Sequence, residues 1–307
     1  MVILENQGVR NGGVSVEPGP WVVGIDGSEG AGTALDWAVA QLEGRATELR
    51  LVMAWQTPVV AAPMSTPASI PFDDHELRDA AADDLRDLAA SLDVSMPIDA
   101  GIGHGGPAEV LLAAAADAAT LVVGNRGRGG FARLLLGSTS TQCATHAAVP
   151  TIVVPAGTEA ASCRRIVIGF DGSDNSMAAL HWAVCFADPG ATVEVVWVWD
   201  ATPLAVGADA FFFPDASDLA VERFNHLVEP AVDRADARGV HLERSFVRGR
   251  ARSVLAESAA DADLVVVGAR GHGAVGAAVL GSVSTWLLHH VDTPVAVIPV
   301  AGSDEDG

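Results

Sequence analysis

The spacing Gly124-x₂-Gly127-x₉-Gly137-Ser138 recurs as Gly268-x₂-Gly271-x₉-Gly281-Ser282. Each copy follows a run of strand formers, LVVGNRG at 121–127 and LVVVGARG at 264–271, and precedes a helix-like stretch and a Pro-flanked strand. The rest of the chain aligns in the same register. WVVGIDGS (21–28) matches IVIGFDGS (166–173), LDWAV (35–39) matches LHWAV (180–184), LRLVMAW (49–55) matches VEVVWVW (193–199), and TIVVP (151–155) matches VAVIP (295–299). A duplication of this extent means two copies of one domain, and 307 residues are enough for two separate cores. The reading divides the chain into a disordered leader (1–19), a first domain (20–156), a linker (157–164), a second domain (165–300) and an acidic tail (301–307).

Within each half, short apolar runs alternate with helix patterns. In the first half Trp21–Ile25 reads as a strand, and Ser28 as the N-cap of a helix carrying Leu35, Trp37, Ala38 and Leu42. Strands at 49–55, near 98–103, at 121–124 and at 151–155 alternate with helices near 74–92, after Pro107 and from about Ser138. Near-continuous Val, Ile and Leu strands covered by helices predict two tandem Rossmann-like or flavodoxin-like α/β domains. Each is expected to hold a five-stranded parallel sheet with helices on both faces. The last strands, Thr151–Pro155 and Val295–Pro299, are apolar and would be exposed edges if left alone. The halves are therefore expected to pack on each other through them as an internal pseudo-dimer.

Composition narrows the chemistry. The chain has a formal net charge of −21 and no lysine, its 18 basic residues all being arginine. A P-loop lysine, a Schiff-base lysine and a Ser-Lys dyad are excluded, and any phosphate must be held by amides, hydroxyls, Arg or a metal. Nucleic acid and anionic membranes are not expected partners. No apolar run is long enough to cross a bilayer, and no secretory signal is read at the N-terminus. Cys143, Cys163 and Cys185 are scattered and lack metal spacing, which suits a reducing cytosol.

In a doubly wound sheet, ligands bind beyond the carboxyl ends of the strands, where the strand order reverses. Asp26-Gly27-Ser28 follows the first strand and Gly124-Asn125-Arg126-Gly127 follows the fourth. A glycine loop feeding a helix lets amides approach an anion, and the helix N-terminus adds partial positive charge. Ser138 and Ser282 stand where the next helix starts, to cap it or to bond a phosphate oxygen. Plain turn chemistry explains one such loop equally well; the duplicated spacing favours a ligand. For Asp26 and Asp171 helix capping competes with a ribose or metal contact, and for Gly24 and Gly169 core packing competes with ligand approach. Trp197 and Trp199 read as core. His289-His290, on different sides of one helix, is not read as a metal site. Phe211-Phe212-Phe213 reads as a plug or a nucleotide cover.

V-G-I-D-G-S, L-x-W-A and V-V-G-N-R-G-R-G-G-x₆-G-S-T-S resemble the universal stress protein family. The second half resembles it through I-G-F-D-G-S and V-V-G-A-R-G-H-G-x₇-G-S-V-S. The resemblance covers 20–156 and 165–300, and the chain as a whole is similar to two-domain actinobacterial members. It implies ATP, two per chain, together with Mg²⁺. It implies that Asp26 and Asp171 lie near ribose or metal, and that the backbone at Ala54 and Val198 reads the adenine edge. For the ribose and phosphates it implies Gly124, Arg126, Gly127, Arg128, Gly137, Ser138 and Thr139, and Gly268, Arg270, Gly271, His272, Gly281, Ser282 and Val283. Gly24 and Gly169 complete the candidate set; no catalytic or metal-specific residue is assigned. The function implied is a cytosolic, ATP-binding stress or dormancy regulator, a homodimer as well as an internal pseudo-dimer, acting on an unknown protein partner. A slow ATPase or nucleotidyl transferase, and an interaction module with a structural nucleotide, remain open alternatives. Arg126, Arg128 and Arg133 make the first loop more basic than the second, which has Arg270 and His272. The first site is thus expected to be more salt-dependent and the second more pH-dependent.

Overall fold

The computed structural model describes residues 18–43, 45–56, 75–127, 136–199, 215–271 and 279–299. The first repeat runs β1 (Gly19–Gly24), α1 (Glu29–Gln41), β2 (Ala46–Trp55), α2 (His75–Ser91), β3 (Ile98–His104), α3 (Pro107–Ala114), β4 (Thr120–Gly124), α4 (Ser138–His146) and β5 (Thr151–Val154). The second runs β6 (Arg165–Phe170), α5 (Asp174–Phe186), β7 (Thr192–Trp199), α6 (Asp215–Ala237), β8 (His241–Arg248), α7 (Ala251–Ala259), β9 (Leu264–Gly268), α8 (Ser282–His290) and β10 (Val295–Ile298). β1 starts at Gly19, so the last residue assigned to the leader is part of the sheet.

All ten strands form one sheet in the order β3-β2-β1-β4-β5-β10-β9-β6-β7-β8. Within each repeat the pairing is parallel. At the seam β5 and β10 run antiparallel, with Val153 opposite Val295 and Thr151 opposite Val297. The strand order reverses between β1 and β4, and again between β6 and β9. The central strands β4, β5, β9 and β10 are buried along their whole length, as continuous Val/Ile/Leu strands covered on both faces must be.

Helices α1, α2, α5 and α6 cover one face, over a core that includes Trp21, Trp37, Leu85, Leu180 and Phe224. Helices α3, α4, α7 and α8 cover the other, over Leu111, Cys143, Leu255 and Leu287. Each core runs through both repeats. On the first face Phe186 stacks on Trp182 of its own helix, with centroids 4.6 Å apart, and on Trp21 of the other repeat at 6.4 Å. Arg45 lies over the Phe186 ring, donates from Nε to its carbonyl at 2.9 Å and meets Asp188 at 2.6 Å. The linker is tied down too: buried Gln41 donates to the Ala161 carbonyl at 2.6 Å. Trp197 packs edge-on against Phe170 and Phe224, as core packing requires.

His181 on α5 is partly buried, and its Nδ1 lies 3.0 Å from Arg234 Nη1 on α6. Burial, and then the Arg234 charge, lower its pKa below the usual 6.5. The unfolded chain therefore takes up this proton more readily than the folded one. The stability linked to neutral His181 is complete above about pH 6.5 and is lost as pH falls below it. Urea unfolding midpoints between pH 7.5 and 5 should fall more in the parent protein than in His181→Asn; parallel pH profiles would show that the ring carries no such linkage.

Candidate nucleotide site

The two reversal points each bring an acidic turn beside a glycine loop. After β1 and β6, Gly27 and Gly172 take φ of 72° and 79°, a left-handed conformation strained for any residue with a side chain. The turn folds back on itself: the Ser28 amide donates to Asp26 Oδ1 at 2.9 Å, and the Ser173 amide to Asp171 Oδ1 at 3.0 Å. The serines, not the aspartates, cap the helices. Ser28 Oγ accepts from the Ala31 amide and Ser173 Oγ from the Ser176 amide. The capping alternative for Asp26 and Asp171 is thereby removed. The other oxygen, Oδ2, lies against the Cα of the loop glycine: a Cβ at Gly127 would strike Asp26, and one at Gly271 would strike Asp171.

The strand glycines have a different reason to be small. A Cβ on Gly124 would lie 2.5 Å from the Gly30 carbonyl oxygen in α1, and one on Gly268 would lie 2.6 Å from Asn175 Cβ in α5. Strand and helix backbones meet there, so packing explains these two positions. Gly24 faces Leu111 at 2.9 Å and Gly169 faces Leu255 at 3.0 Å in the same test. Core packing accounts for their size, although Gly169 also borders the cavity described below.

Each loop is closed at its neck. The Gly137 amide donates to the Asn125 carbonyl at 2.8 Å and the Gly281 amide to the Ala269 carbonyl at 2.7 Å. The N-caps of α4 and α8 are Gly137 and Gly281, so of the two roles read for Ser138 and Ser282, capping or bonding a phosphate oxygen, capping is taken by the preceding glycine. A glycine offers no cap acceptor, so the first-turn amides of both helices lack a side-chain partner at that position. Two residues beyond Ser138 and Ser282, a buried serine pins the helix to the strand end: Ser140 Oγ donates to the Gly124 carbonyl at 2.6 Å, Ser284 Oγ to the Gly268 carbonyl at 2.7 Å. These serines were not singled out from sequence; the shared G-S-x-S spacing was the available signal.

In the second repeat these parts enclose a cavity of about 640 Å³. Gly169, Asp171, Val198, Gly268, Arg270, Gly271, Gly281, Ser282 and Val283 all line it. His272 lies outside the described residues. The remaining wall is mostly apolar and was not foreseen: Phe170, Val196, Ala251, Leu255, Val267, Val279 and Leu280, with Ser176 and Ser284 as its polar members. In the first repeat Gly24, Asp26, Gly124, Arg126, Gly127, Gly137, Ser138 and Thr139 occupy the equivalent positions. Ala54, near the end of β2, pairs with Gly103 of β3. The Arg126 carbonyl approaches α1 closely enough that a Cβ on Gly30 would lie 2.6 Å from it. Arg126 Nε is buried without a hydrogen-bond partner. Arg128 and Arg133 lie outside the described residues, as does Phe211-Phe212-Phe213.

Thiol chemistry is not available at these sites. Burial pushes Cys143 and Cys163 up to about 12 and raises Cys185 as well, so all three stay protonated near neutral pH. Among the described residues no group of three His, Cys, Asp or Glu side chains is placed to hold a metal ion, and no helix is long and apolar enough to cross a membrane. His290 instead stacks on Trp286, with centroids 4.2 Å apart.

A sequence model of the universal stress protein family matches twice, over residues 20–155 and 162–299. The chain belongs to the universal stress protein family. It is similar to a universal stress protein of Mycolicibacterium smegmatis, 34% identical over 62% of this chain and 65% of that one. A universal stress protein of Mycobacterium tuberculosis is 28% identical over 90% of this chain and 95% of its own length, so the tandem arrangement is shared. Among solved structures, a universal stress protein from Archaeoglobus fulgidus superposes with a TM-score of 0.66 at 17% identity. That match covers 92% of this chain and 98% of that one, and shows the shared fold.

Proposed function

We propose that this universal stress protein is a cytosolic, ATP-binding regulator, each repeat holding one nucleotide and signalling through its bound or free state. The observation that carries this reading is the second-repeat cavity. Nine residues of the candidate set, most of them implied by the family resemblance, line one space of about 640 Å³ at the carboxyl ends of β6 and β9. That volume lies in the range of small-molecule sites. Apolar walls from Val196, Val198 and Leu255 suit an aromatic base, and Asp171 suits a ribose hydroxyl. The uncapped start of α8 and the Arg270 side chain suit phosphate oxygens, in a chain without lysine.

Mg²⁺ fits this donor set only as a companion of the phosphates. It is commonly bound through one or two carboxylates and phosphate oxygens, and Asp26 or Asp171 would supply the carboxylate. Association between chains would use a surface other than β5 and β10, whose edges already pair with each other. Denaturing the purified protein and identifying what it releases tests the reading directly. Close to two adenine nucleotides per chain are expected after purification in ATP. Protein that releases none, and takes up none when titrated with ATP, would remove the nucleotide from the account.

A further inference from the structure

One strongly charged segment has no part in the reading above. The turn from β8 into α7 carries Arg248, Arg250 and Arg252, three cations within five residues of a chain whose net charge is −21. All three are exposed, and among the described residues none makes an ion pair or side-chain hydrogen bond. Elsewhere Arg45, Arg50, Arg86, Arg165 and Arg244 each meet a carboxylate, while Arg78, Arg164 and Arg223 are exposed singly along the chain. The segment is fixed in place. Arg248 ends β8 opposite Trp199, the Gly249 amide donates to the Trp199 carbonyl at 3.0 Å, and Arg250 is the N-cap of α7.

Its position gives it a use. Ala251, between Arg250 and Arg252, lines the second-repeat cavity, and so does Leu255 one turn later. Arg270 and the start of α8 line the cavity itself, and the arginine turn adjoins it through Ala251, its three arginines standing outside the lining. The apolar side chains of Val196, Val198 and Leu255 line the same cavity. The first repeat lacks the arginine turn. At the equivalent positions it has His104, Gly106 and Ala108, followed by Glu109.

We propose that the second-repeat cavity takes a nucleotide-class ligand with an anionic group at each end of its aromatic body, the far anion being held by the Arg248–Arg252 turn. This rests on the nucleotide reading and adds a ligand class to one of its two sites. Planar guanidinium groups suit carboxylate or phosphate oxygens at such a rim, and being exposed they act in a salt-dependent way. The charge difference between the sites is then the reverse of what the glycine loops alone suggest, with the second site the more salt-sensitive toward such a ligand.

The test compares AMP with N⁶-(1,2-dicarboxyethyl)-AMP, which carries phosphate at one end and two carboxylates at the base end. Nucleotide-free full-length protein is titrated by calorimetry with each, in parallel with the Arg248→Gln/Arg250→Gln/Arg252→Gln variant. The parent protein should bind the dicarboxylate at least tenfold more tightly than AMP at one site and no more tightly at the other. The triple variant should lose that gain while its AMP affinity stays within about twofold. Circular dichroism and AMP binding report whether the variant is folded. Equal affinities for the two probes at both sites, or a gain that survives in the variant, would overturn the assignment. AMP binding in the same titrations would leave the nucleotide reading standing; no binding of either probe would end both.

Discussion

Gly271→Val is expected to lower the ATP stoichiometry of the nucleotide-free protein from the proposed two equivalents to one. The Gly271 Cα lies against Asp171 Oδ2, so the first atom of any side chain would enter the space of that carboxylate. The rest of a valine would enlarge that intrusion at a residue that lines the cavity between Asp171 and the start of α8. Gly271 is not among the glycines with positive φ, so valine meets no backbone strain, and the fold should persist. The expected loss at this site is at least a hundredfold, about 2.8 kcal/mol. Gly127→Val is the matching change against Asp26 in the first repeat. Calorimetric titration gives the stoichiometry and circular dichroism the folding. Two equivalents in a folded Gly271→Val protein would mean that the glycine serves only the turn.

The positions that sequence made legible are those where one residue type is physically required. The apolar strands announced themselves because β4, β5, β9 and β10 are buried on both faces and tolerate little else. The loop glycines were equally plain, but not their separate reasons. Gly124 and Gly127 belong to one motif, yet the first is small because a helix backbone lies on it and the second because a carboxylate does. Spacing alone does not separate those demands. The cavity wall was hidden for the opposite reason. Val196, Leu255 and Val267 are apolar residues on regular elements, and nothing in a sequence distinguishes a valine facing a ligand from one facing the core. The helix starts at Ser138 and Ser282 were legible; that the preceding glycine is the N-cap was not, because glycine can occupy an N-cap when no side-chain acceptor is used. The arginine turn was passed over because it lies outside every repeated motif.

The seam between the repeats is where the largest loss of stability is expected, at Phe186. Its ring is buried, stacks on Trp182 and Trp21, and lies beneath the Arg45 guanidinium, whose carbon is 4.6 Å from the ring centroid. Truncating a buried phenylalanine costs about 3–5 kcal/mol, and here the cavity would open between elements of different repeats. The Arg45–Asp188 pair and the bond to the Phe186 carbonyl survive in Phe186→Ala, but Arg45 loses the aromatic face that supports it. Phe224 supplies the control. It is equally buried but packs with Phe170, Trp197 and Phe246, all within the second repeat. Phe224→Ala should lower the urea midpoint while leaving fluorescence and circular dichroism transitions coincident. Phe186→Ala should lower it comparably and also separate the two transitions, because it removes the aromatic contact that joins Trp21 of one repeat to Trp182 of the other. A loss below about 1 kcal/mol with coincident transitions would show that the strand pairing, and not the aromatic stack, makes the two repeats one cooperative unit.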